Sequence, residues 1–147
     1  MKVEELYQEI ILDHYRTKHH SGLREPYEAE VHHVNPTCGD EVRLRVHLVG
    51  DTVSDVSYES VGCSISQAST SVMTDLVIGR DVAYGMDLYE EFLTMMQGKG
   101  QIEPDEERLE DGIAFAGVAK FPARVKCALI GWSAFRDAVV RAQSTSS

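Results

Sequence analysis

Three cysteines carry the chemistry open to this sequence: Cys38, Cys63 and Cys127. Cys38 stands in the segment Asn35-Pro36-Thr37-Cys38-Gly39-Asp40, Cys63 directly follows Gly62, and Cys127 lies a few residues beyond Pro122. An odd number of cysteines argues against a disulfide framework and for buried thiols, a metal site or a reactive thiol. In Cys38-Gly39-Asp40 the central glycine opens backbone angles closed to other residues, so a thiolate and a carboxylate two positions apart can turn toward one point. Three thiolates and one carboxylate make four donors, the number that tetrahedral zinc prefers, at about 2.0–2.3 Å. No Cys-x-x-Cys pair is present, and three unrelated buried cysteines fit the spacing equally well.

The elements around these residues decide whether they can meet. Val3, Leu6, Tyr7, Ile10, Ile11 and Tyr15 recur at helical spacing and predict an amphipathic first helix. The polar run Thr17 to Ser21 ends it, with Gly22 as a stop. Tyr27 to Val34 reads as a short strand. From Glu41 to Val49 the pattern alternates, with Val42, Leu44, Val46 and Leu48 on one face and Arg43, Arg45 and His47 on the other. Gly50-Asp51 is a turn signal, and Val53 to Ser60 predicts a third strand in an antiparallel meander.

After Gly62 the period becomes helical. Ile65, Ala68, Val72, Met73, Leu76 and Val77 form a stripe that stops at Gly79. Asp87 with Glu90 resembles a capping box ahead of Phe92, Met95 and Met96. Pro104 predicts the first position of a short acidic helix, and Pro122 that of the last helix, with Val125, Ala128, Leu129, Trp132, Phe135 and Val139 as its stripe. Ala142 to Ser147 reads as a frayed tail. The expected fold class is α+β: an N-terminal helix, a three-stranded antiparallel meander, then several helices on one face, as a single domain over residues 1–147. Cys38 then falls in a loop and Cys63 and Cys127 near helix starts, where the helix dipole favours a thiolate.

Composition excludes some classes. Asp and Glu total 24 against 14 Lys and Arg, a formal net charge of −10, which argues against nucleic acid as a main partner. No apolar run is long enough to span a bilayer, and the acidic amphipathic start is neither a signal nor a transit peptide, so a cytoplasmic location and no membrane partner are expected.

The cysteine segments, in order, resemble the NifU-type family to which IscU and SufU belong. The matching stretches are Asn35 to Asp40, Ser60-Val61-Gly62-Cys63-Ser64-Ile65-Ser66-Gln67-Ala68-Ser69, Ala123-Arg124-Val125-Lys126-Cys127-Ala128, and the opening Leu6 to Tyr15. IscU-type scaffolds carry a histidine just before the third cysteine. Here that position is Lys126, and none of the six histidines lies beyond His47. The stretch between Cys63 and Cys127 is also longer, with the extra residues around Gly85 to Asp111. Both departures match the SufU branch. The resemblance implies zinc held by Cys38, Asp40, Cys63 and Cys127, with Cys38 as sulfur acceptor from a SufS-type cysteine desulfurase and delivery to downstream cluster assembly proteins. It also implies that docking on the desulfurase frees Cys38 from the metal.

Arg124, one helical turn before Cys127, either offsets the site's negative charge or is a solvated helix-start residue. His14, His19, His20, His32 and His33 read as surface or core polar residues, since the adjacent pairs should diverge on regular backbone. Met73, Met95 and Met96 read as core. Three functions remain: a zinc-dependent sulfurtransferase, an IscU-like scaffold for a [2Fe–2S] cluster that is at least transiently bound, or a zinc-stabilised interaction module.

Overall fold

The structure is a computed structural model that describes residues 3–145, with the backbone alone for 3–6 and 145. Val3 and Leu6 of the expected first stripe, and the final serines, therefore lie outside the described side chains. The order is α1 (Val3–Thr17), β1 (Ala29–Asn35), β2 (Asp40–Val49), β3 (Thr52–Val61), α2 (Ser64–Val77), α3 (Val82–Gln97), α4 (Glu106–Leu109), a 3-10 segment (Glu110–Lys120) and α5 (Pro122–Thr145). The strands form one antiparallel sheet in the order β1-β2-β3. This is the α+β arrangement expected. Among the described residues no helix is long and apolar enough to cross a membrane.

The alternating pattern of β2 explains the layering. Val42, Leu44 and Val46 are buried against the helices. On the outer face Arg45 Nε donates to Glu30 at 2.8 Å and Arg43 stands 3.5 Å from the same carboxylate. Val42 pairs with His33 on one side and Ser60 on the other, and Asp40, the first residue of β2, pairs with Asn35. The chain thus turns back over Pro36–Gly39 within a fixed register.

Above the sheet, α5 crosses β1 and β2 and packs on α2. Trp132 stacks on Phe92 at 4.7 Å between centroids, and Phe115 of the 3-10 segment meets Phe92 edge-on at 6.0 Å. Gly131 sets the depth of the α2–α5 contact. A Cβ there would sit 2.2 Å from Thr70 Oγ1, so only glycine lets the helices approach this closely. One turn earlier on α5 stands Cys127.

Several expected boundaries moved, each for a backbone reason. The first helix stops at Lys18, whose φ is +46°, and not at Gly22. Gly22 instead donates its N–H to the Tyr58 carbonyl at 2.7 Å. Helix α3 begins at Val82, five residues before the supposed capping box at Asp87. Its first N–H donates to the Asp51 carbonyl at 2.7 Å, so the β2–β3 turn supplies an acceptor to the helix start, and Val53 N–H donates to the Arg80 carbonyl at 2.8 Å just before it. Pro104 precedes the cap of α4 and does not open it; Asp105 caps, accepting from Glu107 and Arg108 backbone N–H groups. Pro122 opens α5 as expected, but α5 runs through Thr145 with Ala142 fully buried, so Ala142–Thr145 is no frayed tail.

Helix α2 departs most from a simple stripe. Ser66, Gln67, Ser69, Thr70, Ser71 and Thr74 are buried along with its apolar residues. Each hydroxyl needs a partner in that setting. Ser69 donates to the Ala128 carbonyl at 2.6 Å, and Thr70 to the Ser66 carbonyl at 2.8 Å.

Candidate functional site

Cys38 is half-buried on the turn between β1 and β2, and Gly39 beside it holds a φ of +71°, which glycine adopts without strain. Its thiol donates toward the Ala123 carbonyl at 3.6 Å, and the Cys127 thiol faces the same carbonyl at 3.9 Å. Asp40 joins them. One ligand atom each from Cys38, Asp40 and Cys127 lies within 4.8 Å of the others. No histidine belongs to this group among the described residues.

Asp40 is 1% exposed, and its two oxygens have different fates. Oδ1 accepts the Cys63 backbone N–H at 3.0 Å and faces Ser66 Oγ at 3.2 Å, so the carboxylate caps α2 where the helix dipole favours negative charge. Oδ2 is buried with no hydrogen-bond partner. A carboxylate oxygen left bare beside two thiols costs free energy unless a cation covers it. The donor set of sulfur and oxygen, and this orphaned oxygen, fit a zinc ion.

Cys63 stands at the start of α2, half-buried, and its thiol falls outside the 4.8 Å group. Gly62 explains how closely its backbone approaches. Its φ is +138°, and a Cβ would lie 2.2 Å from Asp40 Oδ1 and 2.9 Å from Asp40 Cα. Ser66 and Gln67 complete the cradle: Ser66 Oγ also reaches the Cys63 carbonyl at 2.9 Å, and Gln67 Nε2 donates to the Gly62 carbonyl at 2.8 Å.

The electrostatics of Cys127 differ from the expectation of an activated thiol at a helix start. Burial pushes its thiol well above the ordinary range, and Cys38, Asp40 and Cys63 push it further. Cys127 is the sixth residue of α5, beyond the turn where the helix dipole acts most strongly.

The structure brings Cys38, Asp40 and Cys127 together and sets Cys63 beside them. Arg124 is exposed, lining an open groove of about 450 Å³ with Tyr7, Ile11, Ile65 and Phe121. Lys126 is also exposed, on the side of the Asn35–Thr37 turn. Ser66 and Gly62 stand in the family-like segment, but the sequence assigned neither of them a part in the site. The signal for Ser66 was the polar run after Cys63, which a search for apolar stripes passes over.

The histidines fall into two patterns. His32 and His33 diverge on β1 as expected, toward Glu41 at 3.7 Å and Asp137 at 2.9 Å. His19 and His20 do not diverge; both reach Asp75, at 2.6 and 3.4 Å. They sit on a turn with positive φ at Lys18 and His20, where the alternation of regular backbone does not apply. Met73, Met95 and Met96 are core residues.

Comparison with known proteins agrees with this architecture. The family model "NifU-like N terminal domain" matches residues 6–128. The zinc-dependent sulfurtransferase SufU of Bacillus subtilis is 41% identical over 140 residues, covering 95% of this chain and 92% of that protein. The iron–sulfur cluster assembly scaffold protein IscU of Streptococcus pyogenes is 40% identical, over 95% and 86% of the two chains. A crystal structure from Fervidobacterium islandicum, described as an iron–sulfur cluster assembly scaffold protein for the SUF system, superposes with a TM-score of 0.83 at 36% identity, covering 94% and 99%. A NifU-like N-terminal structure from Brucella abortus shares the fold, with a TM-score of 0.85 at 22% identity and 97% coverage of each chain. With its motifs in order along one continuous match, the chain belongs to the NifU-like N-terminal domain family.

Proposed function

We propose that this chain is a zinc-dependent sulfurtransferase that takes persulfide sulfur from a SufS-type cysteine desulfurase and hands it to downstream iron–sulfur cluster assembly proteins. The observation that carries the reading is the buried, unpartnered Asp40 Oδ2 beside the Cys38 and Cys127 thiols. Cys38, Asp40, Cys63 and Cys127 would hold the zinc. When bound, zinc supplies the positive charge that keeps thiols deprotonated near neutral pH.

The chain's own residues divide the remaining work. Asp40 is fixed by the Cys63 N–H and faces Ser66, so its free oxygen stays aimed at the thiols. Cys127 is fully buried and holds its place in the core. Cys38, half-buried on a glycine-containing turn, is the thiol a partner can reach. As thiolate it would attack the terminal sulfur of the partner's cysteine persulfide. The S–S bond to the partner's cysteine breaks, that cysteine leaves as a thiolate, and Cys38 becomes the persulfide, with no net oxidation. Arg124, exposed one turn before Cys127, would offset the negative charge of site and incoming persulfide.

Relatives of nearly equal identity bear the names SufU and IscU, so identity alone does not choose between them. Lys126, in place of the histidine of IscU-type scaffolds, favours the sulfurtransferase over a [2Fe–2S] scaffold. The test pairs metal analysis of aerobically purified protein with a desulfurase assay on the same sample. A colourless protein with zinc that strongly stimulates the desulfurase, with stimulation lost in Cys38→Ala, supports the reading. A brown, iron-containing protein that leaves desulfurase turnover unchanged rejects it.

A further inference from the structure

A second group of donors gathers at the other end of α2. His14 is 2% exposed near the end of α1, and His19 lies on the turn that follows. Their rings stand 4.5 Å apart at 46°. One ligand atom each from His14, His19 and Asp75 lies within 4.8 Å of the others. The group is tied to its surroundings by ordinary hydrogen bonds. His14 Nδ1 meets Ser71 Oγ at 2.8 Å, the His19 backbone N–H donates to that same hydroxyl at 2.8 Å, and His14 Nε2 meets Asp111 at 3.1 Å. His20 Nδ1 stands 3.0 Å from Thr74 Oγ1 and 3.4 Å from Asp75.

A cavity adjoins these residues independently of the ligand-atom geometry. It measures about 140 Å³ and is lined by His14, Val72, Asp75, Leu76, Glu110 and Asp111. Its polar wall is three carboxylates and one imidazole, with no lysine or arginine in the lining. Such a wall has negative potential and no resident counter-charge. The volume exceeds that of one water, so a hydrated ion fits.

We propose that His14, His19 and Asp75 form a second cation site, for a divalent transition metal that accepts imidazole and carboxylate donors, with Asp111 on its rim. Two imidazoles and a carboxylate without thiolate suit zinc, nickel or cobalt, and three protein donors leave a position open toward the cavity. The ion ties the end of α1 and its turn to α2, joining elements that the apolar core already packs. The site is independent of the cysteine centre in residues and in donor chemistry.

The test uses Ni²⁺ as probe on the full chain and reads the difference between wild type and variants that keep every cysteine, so that any uptake by the thiol donors cancels. Wild type takes up one equivalent of Ni²⁺ more in calorimetry than His19→Ala and Asp75→Asn, both half-exposed positions. Equal uptake in wild type and both variants, or no uptake by wild type, overturns the proposal. A second measurement needs no variant: paramagnetic Ni²⁺ broadens the ring proton signals of His14 and His19 before those of His32, His33 and His47. Broadening spread evenly over the histidines, or none, overturns it as well. Failure of the cysteine-centre reading leaves both results unchanged, because wild type and variants share the same cysteines and the second measurement reads histidine signals alone.

Discussion

Helix α2 ends in two different polar clusters, and their contrast shows what a metal centre needs from a fold. At its N-terminal end the Asp40 carboxylate is buried, one oxygen bonded and the other bare, beside the thiols of Cys38 and of Cys127, the latter pushed up by burial. Toward its C-terminal end the polar atoms of His14, His19, His20 and Asp75 already have hydrogen-bond partners, and the carboxylates are half-exposed. The first cluster leaves a buried oxygen without a partner; the second has its polar atoms partnered and has room to accept an ion. Removal of an ion should therefore disturb the first far more than the second.

The largest effect expected from this contrast is at Cys38. Cys38→Ser should abolish sulfur acceptance while part of the zinc binding persists, read by transfer of labelled sulfur and by metal content. Full acceptance by that variant would move the acceptor role elsewhere.

Next comes Gly62→Ala, compared with Gly39→Ala. Both positions have positive φ, which costs an alanine about 1–2 kcal/mol. The Gly39 position is open, whereas at Gly62 the new Cβ also meets Asp40. Denaturant melts should show Gly62→Ala losing clearly more stability than Gly39→Ala. Equal losses would mean that the approach of Asp40 to the start of α2 is not tight.

Ser66→Ala tests the support of the buried carboxylate. Loss of an outer partner of a metal ligand typically lowers metal affinity by roughly 10–100-fold. Competition with a chelator should show that drop with the fold retained. An unchanged affinity would assign Ser66 to helix capping alone.

The smallest effect belongs to the other end of α2. Burial raises the Tyr58 hydroxyl to about 12, opposed by the nearby Ser71. An unfolded tyrosine ionises near pH 10. The folded-state value is the higher one, so this stability is present below about pH 10 and is lost as pH rises from there toward 12. Tyr58→Phe should flatten the alkaline loss while changing stability at neutral pH by about 1 kcal/mol or less, since the hydroxyl lacks a hydrogen-bond partner. An unaltered alkaline melt would place the titrating group elsewhere.

Much of the architecture was legible beforehand because burial on one face writes a period into the chain. Val42, Leu44 and Val46 mark β2, and Leu88, Phe92, Met95 and Met96 mark α3. Boundaries were less legible. Val82 begins α3 because the Asp51 carbonyl lies beside it, a partner 31 residues away in sequence that no local pattern records. The 3-10 segment from Glu110 to Lys120 has no strong period of its own and is held by burial of Phe115 against Phe92.

By itself the sequence determined the element types, the family to which the cysteine segments point, and the four residues worth watching: Cys38, Asp40, Cys63 and Cys127. Only the tertiary structure decided which donors meet. Gly131 lets α5 sink onto α2, Gly62 lets Asp40 reach the start of α2, and one Asp40 oxygen is left bare where two thiols converge. The same holds for His14, His19 and Asp75, which share no motif. Side-chain type and spacing are local properties, whereas the meeting of donors depends on packing between distant elements, which no short stretch of sequence encodes.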